Sequence, residues 1–165
     1  MKKILFVCKY LSTNKNGFES RLSVLIRMFK KKKFQVSAIT SSNSLKSKNF
    51  KKKYSCVKID NVEYFFIKER NDYSPYSLKR IISWLRFEYD LFKFNFKLIK
   101  YKPEIIYISS LSLLTILNGI YFKYKFKAKL VFEMRDLWPY FLITTGKFSR
   151  SNADLTLSLS IIRPL

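Results

Sequence analysis

The sequence predicts an α/β domain built on a parallel β-sheet. Short continuous apolar runs, typical of strands buried on both faces, recur along the chain, beginning at residues 3–8. Segments with the three-to-four residue spacing of amphipathic helices separate these runs. Alternation of strands with helices favours a parallel sheet with right-handed crossovers.

The first forty residues are predicted to form one strand–helix–strand unit. Residues 3–8 are the first strand, and residues 34–39 are the second. Between them a helix begins after Ser20, whose side chain can cap it. Lys30 to Lys33 lie at its C-terminal end, where cations interact favourably with the helix dipole. The apolar face of this helix consists of Leu22, Leu25, Ile26 and Phe29.

The next segment is predicted to be a basic loop followed by a hairpin. Residues 41–53 are polar and rich in lysine. Cys56–Ile59 and Val62–Lys68 have strand character, and the Asp60-Asn61 pair between them favours a tight turn. Residues 69–76 are predicted to be loop.

A long helix is predicted from Leu78 to about Lys100, where Pro103 follows, and it carries two apolar stripes. The first stripe is Leu78, Ile81, Ile82, Leu85, Tyr89, Phe92, Phe96 and Ile99. The second is Trp84, Phe87, Leu91, Phe94 and Leu98. Helix geometry turns the two stripes about 100° apart. Two stripes indicate either a deeply buried helix or one with a spare face for a membrane or a partner.

The C-terminal half continues the alternation. Glu104–Ser109 and Lys129–Met134 are predicted core strands, and the segment from Leu111 to Tyr124 is apolar enough for a buried helix. The last strand runs directly into Arg-Asp-Leu-Trp-Pro, residues 135–139.

The composition restricts the chemistry of the chain. A content of 48% apolar residues is enough to build a core, which excludes a disordered polycation. The absence of His excludes a Ser-His-Asp triad, a Cys-His dyad and a His-ligated metal. Cys8 and Cys56 are too few for a disulfide framework and are typical of buried or half-buried thiols in a reducing compartment.

The chain is strongly basic, with 33 Lys and Arg against 11 Asp and Glu and a formal net charge of +22. This charge favours the anionic inner face of a membrane or a nucleic acid, although it also fits the codon bias of an AT-rich genome. No apolar run approaches the ~20 residues that a spanning helix needs, and the N-terminal run is too short for a signal peptide. We therefore expect a cytoplasmic protein.

Four segments carry a resemblance to a known family. They are residues 3–21 (KILFVCKYLSTNKNGFESR), 22–40 (LSVLIRMFKKKKFQVSAIT), 102–110 (KPEIIYISS) and 131–139 (VFEMRDLWP). In this order they resemble the N-terminal domain of the family 4 glycosyltransferases, retaining GT-B-fold enzymes of capsule, O-antigen and lipopolysaccharide synthesis. The Arg-Asp-Leu-Trp-Pro run is the most specific match and is characteristic of one branch of that family.

The resemblance implies a Rossmann-like, acceptor-side domain over residues 1–148. Residues 149–165 depart from the family pattern, and we expect an atypical tail that a protease cuts first. The family's second domain, which binds the nucleotide-sugar donor and carries a Glu-x7-Glu motif, is not among the 165 residues. The resemblance therefore implies a truncated or split enzyme, inactive alone, whose donor-binding half can be a separate partner.

The resemblance also implies site residues at the carboxyl end of the sheet, where open α/β sheets bind ligands. Asp136 and Glu133 are the carboxylates placed to act as a base or to bind an acceptor hydroxyl. The implied substrate-binding residues are Gly17, Arg21, Ser109, Ser110, Arg135 and Trp138. Structural roles remain open: a βα turn at Gly17, an Arg135–Asp136 ion pair, and strand-end caps at the two serines. The implied substrates are a nucleotide sugar and a lipid-linked or glycan acceptor, with no metal ion and no further cofactor.

Basic and apolar residues predict a membrane-binding patch at the inner face of the cytoplasmic membrane. The patch consists of Lys30, Lys31, Lys32, Lys33, Trp84, Phe87, Leu91 and Phe94. The alternative is a solvated lysine face and a core stripe.

Three functions remain open at this point. The leading hypothesis is the acceptor-binding domain of a retaining glycosyltransferase. The second is a non-catalytic accessory subunit that recruits a separate catalytic chain to the membrane. The third, a nucleic-acid-binding protein, is favoured by charge alone, because the chain has neither RNP aromatics nor a Gly-x-x-Gly loop, and no nucleic acid is expected as a partner.

Overall fold

The computed structural model describes residues 1–11, 20–44, 50–69, 78–94, 96–110 and 114–134, with the backbone alone at 78–81, 110 and 134. The chain divides into two units, Met1–Glu133 and Met134–Leu165, and the features below belong to the first. The predictions for Gly17, Arg135, Asp136, Trp138 and the tail at 149–165 lie outside the described residues.

The described residues form six strands and three α-helices in the order β1 (Lys3–Val7), α1 (Arg21–Lys31), β2 (Gln35–Ser41), β3 (Tyr54–Ile59), β4 (Val62–Ile67), α2 (Leu78–Phe92), β5 (Ile105–Ser110), α3 (Thr115–Phe126) and β6 (Lys129–Met134). They build one sheet of order β3-β4-β2-β1-β5-β6. Strand β1 pairs in parallel with β2 and β5, β2 pairs in parallel with β4, and β3 is antiparallel to β4. The predicted α/β, Rossmann-like fold is confirmed.

Each face of the sheet carries its own apolar cluster. Along β1, Ile4 and Phe6 join the cluster that packs under α1. Leu5 and Val7 point to the opposite face and join the cluster that α2 and α3 cover. Because both faces are covered, the strand reads as one continuous apolar run rather than an alternating one.

Helix α1 begins and ends where its sequence signals place it. The Ser20 hydroxyl accepts a hydrogen bond from the Ser23 backbone N–H at 3.3 Å, which confirms the predicted cap. Lys30 and Lys31 occupy the last turn, and Lys33, just beyond it, has a φ of 61°. Leu22 and Ile26 are buried as predicted.

The predicted hairpin is also confirmed. Asp60 and Asn61 have φ values of 48° and 61°, the left-handed pair that a two-residue type I′ turn requires. Ile59 and Val62 face each other across the first rung of the ladder.

The long predicted helix ends earlier than its periodicity indicates. Helix α2 stops at Phe92, and a short 3-10 turn at Phe96–Leu98 follows it. Phe94 packs edge-on against Tyr54 at 5.3 Å between ring centroids, and Phe96 packs edge-on against Phe122 at 4.8 Å. Ring packing against the sheet and α3 therefore overrides the helical spacing at Phe94 and Phe96.

Of the two apolar stripes predicted for α2, the one assigned to the membrane patch is buried in the core, and the other is exposed. Phe87, Leu91 and Phe94, which were predicted to face a membrane, are 1%, 0% and 3% exposed and pack in the core under α2 and α3. That prediction is wrong for these three side chains. The exposed stripe is the first one, with Ile82, Leu85, Tyr89 and Phe92.

Helix α3, Thr115–Phe126, is buried on one face only, whereas the segment from 111 to 124 was predicted to be a buried helix; residues 111–113 lie outside the described part of the chain. Gly119 lies close to the sheet, since a Cβ there would meet Ile108 Cδ1 at 2.3 Å. Thr115, Asn118 and Phe122 share this buried face, whereas the opposite face is exposed. No helix in the described part of the chain is long and apolar enough to cross a bilayer.

Candidate ligand-binding site

Parallel pairing brings the carboxyl ends of β1, β2, β4 and β5 to one edge of the sheet, here called the carboxyl edge. Polar and charged residues follow three of these strands. Lys9 comes shortly after β1, Ser42–Ser44 forms a 3-10 turn after β2, and Glu69 follows β4. Open α/β sheets bind their ligands at this edge.

A buried ion pair lies at the centre of the carboxyl edge. Lys9 Nζ is 2.9 Å from Glu69 Oε1, and the two side chains are only 10% and 4% exposed. Lys9 also donates to the Ser83 hydroxyl of α2 at 2.8 Å and sits over the Phe87 ring. Burying two charges carries a large desolvation cost, so such a pair adds little net stability, although removing one partner is strongly destabilising.

The second carboxylate oxygen of Glu69 holds the turn after β2. It accepts hydrogen bonds from the Ser41 hydroxyl at 2.5 Å and from Asn43 Nδ2 at 3.4 Å. The backbone N–H of Glu69 donates to the Ser42 hydroxyl at 2.9 Å. Glu69 thereby ties the end of β4 to the turn that follows β2.

The backbone carbonyl of Lys9 connects the end of β1 to the end of β2. It accepts hydrogen bonds from the Ser41 N–H, the Thr40 hydroxyl and the Ser44 hydroxyl at 3.2, 3.1 and 3.3 Å. The ends of β1, β2 and β4 are therefore held in one rigid polar arrangement. Rigid support of this kind is what a binding site needs to hold its groups in place.

One acceptor at this edge has no partner within the described residues. The side-chain oxygen Oδ1 of Asn43 is buried and accepts no hydrogen bond there. An unsatisfied buried acceptor costs about 1–3 kcal/mol, and native structures contain few of them. Asn43 Oδ1 is shielded from solvent in this structure, so a ligand hydroxyl reaches it only when the turn after β2 shifts.

Glu133 and Arg21, two of the predicted site residues, are brought together. Arg21 Nη2 lies 2.8 Å from Glu133 Oε1, and the Tyr107 hydroxyl donates to Glu133 Oε2 at 3.1 Å. Burial raises the pKa of Tyr107, and the hydrogen bond to Glu133 raises it further. The Arg21 side chain is largely exposed, so among the described residues the partner of this Glu133 oxygen faces solvent.

The group formed by Arg21, Tyr107 and Glu133 lies apart from the buried Lys9–Glu69 ion pair. Arg21 is the first residue of α1, whereas Ser83, which bonds to Lys9, belongs to α2, and the two helices cover opposite faces of the sheet.

The two serines predicted to bind substrate are at the end of β5. Ser109 is buried there, and the side chain of Ser110 lies outside the described set.

Sequence patterns did not predict Lys9, Glu69 or Asn43 as site residues. A usable signal was present for the first two, since each is a charged residue within two positions of the end of a buried apolar strand. In a parallel sheet that position is the carboxyl edge. Asn43 carried no such signal, because it is one of several polar residues in the 41–53 segment.

Glu88 forms a second polar cluster, between α2 and α3. Its carboxylate accepts a hydrogen bond from the Thr115 hydroxyl and one from Asn118 Nδ2, the latter at 2.8 Å. Burial raises the pKa of Glu88 above its ordinary value of 4.5, and these hydrogen bonds and the charge of Lys9 offset only part of that effect. The folded protein therefore favours the protonated form of Glu88 more than the unfolded chain does.

Glu88 should make the protein less stable as the pH rises. Its stabilising contribution is fully present below pH 4.5 and is lost as the pH rises through the higher pKa of the folded state. Glu88→Gln keeps hydrogen-bonding groups for Thr115 and Asn118 without a charge. We expect this variant to have a higher urea midpoint than the parent at pH 7 and a smaller difference at pH 4.5. Equal differences at both pH values would contradict the burial of an ionised Glu88.

The carboxyl edge offers hydroxyl, amide and charged groups to a polar ligand. Within the described ranges there is no group of three or more Cys, Asp and Glu side chains that could hold a metal ion. No protein-family model matches the chain, and no curated protein sequence matches it.

Proposed function

We propose that this chain is the acceptor-side domain of a family 4 retaining glycosyltransferase, and that the carboxyl edge binds the sugar acceptor. The four resembling segments support this proposal, because they contribute β1, α1, β2, β5 and β6. The observation that carries it is the rigid polar arrangement around Lys9 and Glu69 with the unsatisfied Asn43 acceptor.

A sugar acceptor fits the groups at this edge. Sugar hydroxyls are hydrogen-bond donors, and Asn43 Oδ1 is an acceptor without a donor among the described residues. Glu69, which is paired with Lys9, is hydrogen-bonded to the Asn43 amide and to the hydroxyls of Ser41 and Ser42. A lipid-linked acceptor also carries phosphate, which the excess of positive charge on the chain attracts.

Glu133, which contacts Arg21 of α1 on the opposite face of the sheet from the Lys9–Glu69 pair, is the described candidate for a second, separate acceptor contact. Tyr107 fixes one of its carboxylate oxygens, while exposed Arg21 holds the other and can exchange it for a sugar hydroxyl. In retaining transfer the leaving phosphate of the donor can take the acceptor proton. Glu133 is therefore proposed to orient the acceptor hydroxyl, with no requirement that it act as a base.

Asn43→Ala separates binding from stability and tests this proposal. The change removes the unsatisfied Oδ1 and only a long hydrogen bond to Glu69, so we expect the free energy of unfolding to change by less than about 1 kcal/mol. Affinity for a soluble short-chain lipid-linked sugar, measured by isothermal titration calorimetry, should fall about fivefold, since one hydrogen bond contributes about 1 kcal/mol.

Asn61→Gly is the control, because Asn61 lies in the hairpin turn beside Asp60, away from the carboxyl edge, and glycine keeps the positive φ that the turn requires. It replaces the same residue type and should leave affinity within about twofold of the parent. An Asn43→Ala variant that is folded and binds the lipid-linked sugar as tightly as the parent would remove Asn43 from the proposed site.

A further inference from the structure

Helices α2 and α3 together expose a large apolar surface, here called the α2–α3 face. Its members are Ile82, Leu85, Tyr89, Phe92, Leu117, Ile120, Tyr121 and Tyr124. Leu85 is 51% exposed and Leu117 is 62% exposed. Apolar patches of this kind on a folded domain mark sites that bind a partner or a membrane.

The two helices form one continuous surface rather than two separate stripes. The rings of Phe92 and Tyr121 lie 4.7 Å apart between centroids. Below them, Asn118 of α3 donates to both the backbone carbonyl and the carboxylate of Glu88 on α2. The α2–α3 face is therefore held in place by direct contacts.

Lysines lie over the tyrosines of the α2–α3 face. Lys93 Nζ is 4.4 Å from the Tyr89 ring centroid, and Lys125 Nζ is 5.2 Å from that of Tyr121. Lys123 lies 5.8 Å from the ring centroid of Tyr124. Tyrosine prefers the boundary between hydrocarbon and water, and lysine above it meets the headgroups.

The exposed charge on these helices has one sign. Helix α3 contains no acidic residue, and the two acids of α2 both point inward. Glu88 is bonded by Thr115 and Asn118, and Asp90 is buried with its carboxylate 2.6 Å from Lys53 Nζ. Among the described side chains, the α2–α3 face thus presents apolar groups and positive charge without negative charge.

We propose that the α2–α3 face binds a membrane surface rich in anionic lipid, with the two helices lying in the plane of the headgroups. The apolar centre enters the interface, and the lysines above the tyrosines contact lipid phosphates. Charge complementarity selects this occupant over a second copy of the chain, because two like-charged faces would repel each other. The inference does not rest on the proposed glycosyltransferase activity.

This surface differs from the patch predicted from sequence. Three of the predicted apolar residues are core, as described above, and Trp84 is half-buried with its indole N–H donating to the Tyr10 hydroxyl at 2.9 Å. Lys30 to Lys33 follow α1, which covers the opposite face of the sheet. They therefore do not lie on the α2–α3 face.

The test is co-sedimentation of the full chain with vesicles of phosphatidylglycerol and phosphatidylcholine in equal parts, and with vesicles of phosphatidylcholine alone. We expect binding to the mixed vesicles that weakens at high salt as charges are screened. Leu85→Ser with Leu117→Ser should lower the partition coefficient at least about tenfold, because two apolar side chains leave the interface. Val24→Ser with Met28→Ser, at two exposed apolar positions of α1, is the matched control and should change it less than about twofold.

Two charge variants distinguish binding through the α2–α3 face from the general attraction of a basic chain to anionic vesicles. Lys93→Glu with Lys125→Glu should lower binding and its salt dependence more than Lys31→Glu with Lys32→Glu, an equal change of charge at the end of α1. Circular dichroism confirms that each variant is folded. Equal effects of the two charge pairs, or a folded Leu85/Leu117 double variant that binds like the parent, would overturn the proposal. So would self-association that the double variant abolishes while vesicle binding persists.

Discussion

Replacing Leu91 by alanine should lower the free energy of unfolding by about 2–5 kcal/mol. Leu91 is completely buried and belongs to the cluster between the sheet and helices α2 and α3. Alanine leaves a cavity there, and neighbours such as Phe87 and Phe94 can fill it only in part. Urea unfolding followed by circular dichroism measures the change directly.

Leu85 provides a control on the same helix. It lies six residues before Leu91 and is about half exposed, so Leu85→Ala should change the free energy of unfolding by less than about 0.5 kcal/mol. Both changes remove the same atoms from a helical leucine. Similar effects for the two variants would mean that the assignment of buried and exposed stripes of α2 is wrong.

Replacing Lys9 by methionine should destabilise the protein by about 3–5 kcal/mol. Methionine keeps much of the volume of the lysine stem and its contact with Phe87, but it leaves the buried Glu69 carboxylate without its cation. The hydroxyls of Ser41 and Ser83 still donate to Glu69, yet they do not neutralise its charge.

The double variant Lys9→Met with Glu69→Leu, compared with the two single variants, measures the interaction between Lys9 and Glu69. Without either charge there is no desolvated group to compensate, so the double variant should be more stable than Lys9→Met alone. The coupling free energy from the four proteins should be of the order of 2–3 kcal/mol. Strictly additive effects of the two single changes would contradict a direct buried ion pair.

Most helices and strands of the fold could be predicted from local patterns in the sequence. The Ser20 cap, the Asp60-Asn61 turn and the strand at Lys129–Met134 each depend on a few neighbouring residues, and the structure has all three where the patterns indicate them. The end of α2 could not be predicted from local patterns. Residues 93–99 keep a helical spacing of apolar groups, but packing against distant rings decides the conformation of Phe94 and Phe96.

The exposed stripe of α2 illustrates a second limit. Both stripes contain large apolar residues, so composition does not indicate which one the sheet covers. The choice depends on how the helix crosses the sheet, which places Phe87 and Leu91 inward and Leu85 and Tyr89 outward. Only the packing of the whole domain determines this rotation.

The candidate site was predictable as a location and not as a set of residues. The alternation of strands and helices implies a carboxyl edge, and the sequence places Glu133 near the end of one of its strands. The pairing of Lys9 with Glu69 joins residues 60 positions apart and depends on the order β4-β2-β1 in the sheet. That order emerges from tertiary structure, which single-sequence patterns do not encode.

The most direct test of the central claim is amide NMR of the ¹⁵N-labelled chain titrated with a soluble short-chain lipid-linked sugar. We predict that the largest shift changes occur at Lys9, Ser42–Ser44 and Glu69, and that a nucleoside diphosphate at the same concentration causes smaller ones, since an acceptor-side domain provides few donor contacts. Amides of α2 and α3 away from Ser83 should not move. Absence of shifts at the carboxyl edge, or tighter binding of the nucleoside diphosphate than of the lipid-linked sugar, would contradict the proposal that this edge is an acceptor site.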